Sequence, residues 1–179
     1  EIATAEYGTL DYQVGEYHIT LEAGDSIFVN GNMLHGIRQL AGTVADPMPN
    51  IVFSGTLLAT EASTIYQKYI RPIIQCDSLP FVVFRHHDRS HSEINCLIKD
   101  TYRKMNEKAP CYELAVQRNI SGIFEFISSN FTELSKAKAT RIQINNQIRL
   151  QKMLTYIYEN YAEPVTLEDI AKAADISRS

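Results

Sequence analysis

The sequence predicts an α+β protein. A small antiparallel β-barrel comes first, an antiparallel helical hairpin follows, and the first helices of a helix-turn-helix unit close the chain. Three observations predict this. Residues 1–57 hold short strand-like segments separated by glycines at turn-like spacing. The hydrophobic period then changes to that of amphipathic helices. The final segment strings together a helix cap, a short helix, a turn position and a second cap.

In the first zone, "TLDYQVG" alternates, with Leu10, Tyr12 and Val14 on one face and Asp11 and Gln13 on the other. "YHITL" and "SIFVN" are short and rich in β-branched and aromatic residues, and "IVFSGTLL" reads as one more strand after the Pro-containing loop "TVADPMPN". From residue 61 the pattern is helical. "EASTIYQKYI" predicts a short helix ended near Pro72, and "LPFVVF" a brief extended piece. "SHSEINCLIKDTYRKMNEK" opens with Ser90 and Glu93 at capping-box spacing and carries Ile94, Leu97, Ile98, Tyr102 and Met105 as one stripe. "YELAVQRNISGIFEFISSNF" presents Ile120, Ile123, Phe124, Ile127 and Phe131 in the same way, so the two helices form a hairpin. Residues 136–146 read as a polar linker. A long helix begins at about Gln147, carries Leu150, Met153, Leu154, Ile157, Tyr158 and Tyr161 on one face, and stops at Pro164.

Composition bounds the function. Of 179 residues, 45% are hydrophobic, enough for a core and against global disorder. No apolar run approaches the ~18–20 residues that span a bilayer, so a membrane is not an expected partner. The start lacks the features of a signal peptide, and its first residue, Glu rather than Met, is what an excerpt of a longer protein would show. Cys76, Cys96 and Cys111 form no CxxC and are odd in number, which predicts reduced thiols in a cytoplasmic protein. Net charge is −4, divided as −6 over residues 1–135 and +2 over 136–179, so only the tail has a weak electrostatic claim on nucleic acid.

After Pro164, Thr166 can cap a helix whose first turn holds Glu168 and Asp169. "LEDIAKAA" supplies about two turns, Asp175 tolerates a left-handed turn position, Ile176 is an apolar plug, and Ser177 is a second N-cap. The spacing is that of a helix-turn-helix. The stretch "RLQKMLTYIYENYAEPVTLEDIAKAADISRS" resembles the opening of the DNA-binding region of AraC/XylS transcription regulators, in its long helix ending "YIYENY", its "PVTLEDIA" step and its "AADISRS" entry to a recognition helix. The resemblance implies that Ser177 and Arg178 begin that recognition helix, whose remainder lies beyond the chain, and that this fragment does not itself bind promoter DNA as the full-length protein would.

"AGDSIFVNGNMLH" has Gly24, then Asn30-Gly31-Asn32, then His35 at the spacing of the second cupin motif, with Asn30 and Asn32 in place of its usual Pro and Gly. A cupin-like sensor domain is common in the same regulators, so the two resemblances agree. They imply a cupin-like effector-sensing barrel over residues 1–60 whose first strand is missing. They also imply a dimerisation region over 61–135, the linker, and a truncated DNA-binding domain over 147–179. By alternation, Tyr12, His35 and Gln39 are the expected polar lining for a small-molecule effector, a sugar being the first expectation, and Arg38 points outward. The hairpin, through Ile120, Ile123 and Ile127, is the expected homodimer contact. In metal-using cupins the counterpart of His35 is a ligand and the first motif supplies two His and a Glu. No HxH precedes this segment, and Glu1 falls near the place of that Glu. The expectation is a regulator, not an enzyme, with no cofactor and no metal.

Two rivals remain. A metal-dependent cupin enzyme with a helical extension accounts for Gly24 to His35 but not for the terminal segment. An interaction module without a ligand predicts a barrel filled by side chains. Other signals are weaker. His86, His87 and His91 in "RHHDRSH" lack a second ligand pair of standard spacing and read as a solvated loop. Ser121, Ser128 and Ser129 have no GxSxG context, and neither a P-loop nor a dinucleotide fingerprint is present.

Overall fold

The computed structural model describes residues 1–31, 33–38, 48–135 and 141–176. It contains two compact units, Glu1–Lys138 and Ala139–Ser179. The chain is α+β. In the first unit the strands are β1 (Ile2–Thr4), β2 (Thr9–Val14), β3 (Tyr17–Glu22), β4 (Ser26–Val29), β5 (His35–Arg38), β6 (Asn50–Ile51) and β7 (Phe81–Phe84). They form two antiparallel sheets, ordered β6-β1-β4-β7 and β3-β2-β5. The arrangement is consistent with a cupin-like sandwich, although the described strands do not close into a barrel.

Burial explains the sequence of the central strand. β4 is buried along its whole length, on both faces. Ile27 and Val29 point into the space between the sheets, where they meet Ala3, Tyr12, Val14 and Leu21. Phe28 points the other way, into a second core with Ile2, Phe84 and the helices. A strand covered on both sides carries apolar residues on both faces, which is why Ile27, Phe28 and Val29 show no alternation, while the buried Ser26 hydroxyl is paired with Thr4 Oγ1 at 2.9 Å. β2 and β3 are joined by Gly15 and Glu16, and Gly15 adopts the φ of +56° that a tight hairpin turn asks of its first residue. The "IVFSGTLL" strand is shorter than the sequence suggests. Only Asn50–Ile51 pairs, and a 3₁₀ turn at Gly55–Leu57 follows, capped by Ser54.

The helical layer is α1 (Arg71–Ile74), α2 (Ser92–Glu107), α3 (Tyr112–Ser129) and α4 (Phe131–Ser135). Pro72 does not end its helix. A π-helical turn at Tyr66–Ile70 precedes α1, and Pro72 falls in the first turn of α1, where a missing N–H costs little. The start of α2 also differs from expectation. Asp88, not Ser90, supplies the cap, accepting from the Ser90 backbone at 2.9 Å, and a 3₁₀ turn at Arg89–His91 leads into the helix. α2 and α3 pack as the expected antiparallel hairpin. They approach closely at Gly122, where an added Cβ would lie 2.8 Å from Leu97 Cδ1.

The second unit holds α5 (Arg141–Asn160) and α6 (Leu167–Ala173). α5 begins before Gln147 because nothing from Arg141 onward breaks a helix, and Gln and Arg are good helix formers. α6 opens with a full capping box. Thr166 Oγ1 accepts from the Asp169 N–H at 3.2 Å, and Asp169 accepts from the Thr166 N–H at 3.1 Å. It closes with a Schellman turn. Asp175 takes a φ of +54°, its N–H donates to Lys172 O, and the Ile176 N–H donates to Ala171 O. Short α6 covers one side of α5 only, and of the residues that the sequence groups on one face Leu154, Ile157, Tyr158 and Tyr161 are exposed. No helix among the described residues is long and apolar enough to cross a membrane.

Candidate effector site

Apolar side chains meet between the two sheets. Ala3, Ala5, Val14, Ile19, Leu21, Ile27 and Val29 are buried there, and Tyr12 joins them at 2% exposure. Polar groups gather at one rim of this core. β2 and β5 pair so that Val14 faces His35 and Tyr12 faces Ile37, which puts Tyr12 and His35 on the same side of the sheet. Their rings stack, with centroids 6.1 Å apart and planes 13° from parallel.

Glu1 reaches this rim from the other sheet. Its backbone is held by Val29, whose N–H donates to Glu1 O at 2.8 Å, and this aims the Glu1 side chain at His35. Glu1 Oε2 lies 3.1 Å from His35 Nε2, and Oε1 accepts from Asn50 Nδ2 at 3.4 Å and from the Tyr12 hydroxyl at 3.5 Å. His35 Nδ1 lies 2.7 Å from Met33 O. Both ring nitrogens thus face oxygen atoms, Met33 O on one side and the Glu1 carboxylate on the other. Burial pushes the Tyr12 hydroxyl well above its ordinary range, and the neighbouring Glu1 carboxylate adds to this, so Tyr12 serves only as a neutral donor and acceptor. A carboxylate, an imidazole, a phenol and an amide on one rim can bind a polyhydroxylated or otherwise hydrogen-bonding small molecule. Glu1 and His35 are the pair a metal would use. Among the described residues no third His, Cys, Asp or Glu completes a set with them.

Two more residues brace the rim. The Tyr102 hydroxyl, from α2, donates to Pro49 O at 2.7 Å and lies 3.1 Å from Ile2 O, which ties the helix to the strands carrying Glu1 and Asn50. Burial pushes its pKa up to about 12, against a hydrogen bond with Thr4 that lowers it, and the Glu1 charge adds a smaller upward push. Asn30, at the position where cupins usually have Pro, does not adopt the positive φ its type allows. Its amide donates instead to Ile73 O at 2.7 Å and Leu79 O at 3.0 Å, closing the end of α1 onto β4.

Asp25, beside Gly24, is a structural centre rather than part of the rim. Its side chain is fully buried. It accepts from Arg85 Nη1 at 2.7 Å, the His86 N–H at 2.8 Å, His86 Nδ1 at 2.9 Å and the Glu22 N–H at 3.1 Å. Burial alone would raise its pKa. The donors from the His86 and Glu22 backbones and from the His86 and Arg85 side chains outweigh burial and hold it at about 2.

Of the residues singled out from the sequence, Tyr12 and His35 meet at the rim. Gln39, Ser177 and Arg178 lie outside the described residues. Ile120, Ile123 and Ile127 are 0% exposed, in the core that α3 makes with the sheet and α2. No surface of theirs remains for a partner chain, so the stripe that looked like a dimer contact is the inner face of the hairpin. The histidine loop is also divided. His91 turns inward, accepting from the Arg85 N–H at 3.0 Å and packing edge-on against Phe84 and Phe126. His86 and His87 are exposed. Sequence reasoning missed Asn50, Tyr102 and Arg85. Each acts across a long sequence separation, and only the "GD" turn hinted at a buried acid in need of a base.

The chain is 26% identical over 168 residues to the uncharacterized HTH-type transcriptional regulator YdeC of Bacillus subtilis (strain 168). The match covers 94% of this chain and 56% of YdeC, so the chain spans about half the length of that curated relative. No protein-family pattern matches the chain, and no solved structure matches it.

Proposed function

We propose that the chain is the sensor and dimerisation part, with the opening of the DNA-binding part, of an effector-responsive cytoplasmic transcription regulator of the AraC/XylS kind. One observation carries the reading. α6 begins with a capping box and ends in a Schellman turn with Asp175 at φ +54°, which redirects the chain sharply at the point where a recognition helix would start. The likeness to a protein named as an HTH-type transcriptional regulator supports it. The effector is a small hydrogen-bonding molecule, a sugar being the first expectation, held by Glu1, Tyr12, His35 and Asn50. Since Ile120, Ile123 and Ile127 are inside the protomer, a homodimer uses the outward face of the hairpin, where Leu114 is 66% exposed.

Two experiments test this. The full-length protein should bind DNA from its own promoter region with an affinity that falls steeply as salt rises. If it ignores that DNA at low salt, the regulator reading fails. A thermal-shift screen of sugars and small metabolites should yield a ligand that stabilises by about 2.7 kcal/mol at a hundredfold excess over its Kd. His35→Gln should abolish that shift while the unliganded melting curve stays the same. A shift that survives His35→Gln would remove the rim as the site.

A further inference from the structure

At the opposite end of β2 from the effector rim, the turn after β3 meets the loop after β7. Glu22 pairs with Thr9, whereas His35 pairs with Val14, which sets the two places roughly 17 Å apart along the strand. Here Glu22, His86 and His87 bring one carboxylate oxygen and an imidazole nitrogen from each histidine within 4.8 Å of one another. The two histidine rings meet edge to face at 5.2 Å. Exposed acidic and histidine groups often lie together without consequence. The difference at this place is how they are held.

Asp25 is buried beneath them and anchors both ligand-bearing segments. One carboxylate oxygen takes the Glu22 N–H and Arg85 Nη1, and the other takes the His86 N–H and His86 Nδ1. Every other partner of this carboxylate is an obligate donor, so Asp25 acts purely as an acceptor and Nδ1 of His86 must carry the ring proton. That fixes the tautomer. In the neutral imidazole the free lone pair is then on Nε2. A carboxylate that orients a histidine through one nitrogen and leaves the other as a ligand is the usual support of a protein metal site. Gly24 completes the placement. Its φ is +92°, and a Cβ there would come 3.0 Å from the Cβ of His86, so only the bare backbone lets His86 seat against the turn.

We propose that Glu22, His86 through Nε2 and His87 form a binding site for one divalent transition metal, with Asp25 as the buried carboxylate that orients His86. Two imidazoles and a carboxylate, with a water in an open fourth position, suit Zn²⁺ best. The bound ion would link the β3–β4 turn to the loop that leads through Arg89–His91 into α2, and so stiffen the entry to the hairpin. This site does not depend on the regulator reading.

The test is a titration of the purified chain with Zn²⁺ and with Ni²⁺, by calorimetry and by competition with a chromophoric chelator. One equivalent should bind, and the melting temperature should rise. His87→Ala and Glu22→Gln change exposed side chains and should leave the metal-free melting curve unchanged while weakening binding about tenfold or more. His18→Ala, at another exposed histidine, should have no effect on binding. Long-range ¹H–¹⁵N spectra of the metal-free protein should show His86 protonated at Nδ1. The proposal is overturned if no saturable one-to-one binding occurs, or if binding is unchanged in the His87→Ala, Glu22→Gln double variant. It is equally overturned if binding is lost with His35→Ala instead, or if His86 carries its proton on Nε2.

Discussion

Replacing Asp25 by Asn keeps the shape of the most constrained side chain in the first unit and removes its charge. The carboxylate is fully buried and takes four hydrogen bonds, two of them from the Arg85 guanidinium and the His86 ring. Its pKa, lowered from 3.8 to about 2, corresponds to roughly 2–3 kcal/mol favouring the ionised form in the folded state. The Asn amide would present N–H groups to Arg85 or His86, leaving a buried donor unpaired, and breaking a buried ion pair typically costs about 3–5 kcal/mol. Arg85 keeps one other bond, to Thr20 O at 2.7 Å, so the expected loss is at the lower end, about 3 kcal/mol. In urea, with an m-value of about 2 kcal/mol per M, the midpoint should fall by about 1.5 M at unchanged slope. The pH dependence has a definite sign. The folded pKa is depressed, so the stabilisation is present above 3.8 and lost as pH falls through 3.8 toward 2. The gap between wild type and Asp25→Asn should therefore be constant near neutrality and close below about pH 4. A loss under about 0.5 kcal/mol, or a gap that does not narrow in acid, would refute the assignment of Asp25 as a charge-dependent anchor.

Three further outcomes are expected. Tyr102→Phe should destabilise by about 1 kcal/mol in the same urea assay, because it removes a part-buried hydroxyl that donates to Pro49 O, which keeps the Thr4 N–H at 3.1 Å as its other donor. Ile123→Asp should unfold the hairpin, costing more than about 4 kcal/mol, whereas Leu114→Glu should leave the melting curve intact and shift light scattering from dimer to monomer. Thr166→Ala should cost about 1 kcal/mol, visible as faster amide exchange in α6 with no change in the first unit.

Elements with a strong local signal were legible in the sequence. β2, β3 and β4 fall where alternation and turn glycines place them, the two hairpin helices follow their stripes, and Thr166, Asp169 and Asp175 take the roles their residue types suggest. The misreadings share a physical origin. A helical stripe records that a face is buried, not by what. Ile120, Ile123 and Ile127 would look the same under a sheet as under a partner chain, and only the layered arrangement distinguishes the two. The cap of α2 moved from Ser90 to Asp88 because a 3₁₀ turn and an α-helix can share one N-terminal run, and side-chain spacing does not choose between them. At the rim, pairing alternation brought Tyr12 and His35 to one face correctly. Asn50 and Tyr102 reach the same place across separations of 49 and 100 residues from the groups they bind, and no local pattern encodes such a meeting.

The rim and the helices are joined by β1, the strand that lies between them. Glu1 stands at its start with the rim carboxylate, Ala3 packs between the sheets, and Ile2 packs in the helical core. β1 pairs with β6 through Ala3 and Asn50, so the two strands that carry Glu1 and Asn50 are neighbours. The hydroxyl of Tyr102 sits over both, near Ile2 O and bonded to Pro49 O. An effector that engages Glu1 or Asn50 changes the positions of these strands only if it binds one arrangement better than another, and that difference sets the largest response it can produce. A packed interior favours such a response. Between the sheets Ala3 of β1 packs with Tyr12, Val14, Leu21, Ile27 and Val29, and close-packed side chains transmit strain rather than absorb it. The Tyr102 hydroxyl, bonded to Pro49 O and near Ile2 O, joins these strands to α2. For an effector bound at the rim, Glu1, Ile2 and Tyr102 form a contiguous set of contacts from that rim to α2.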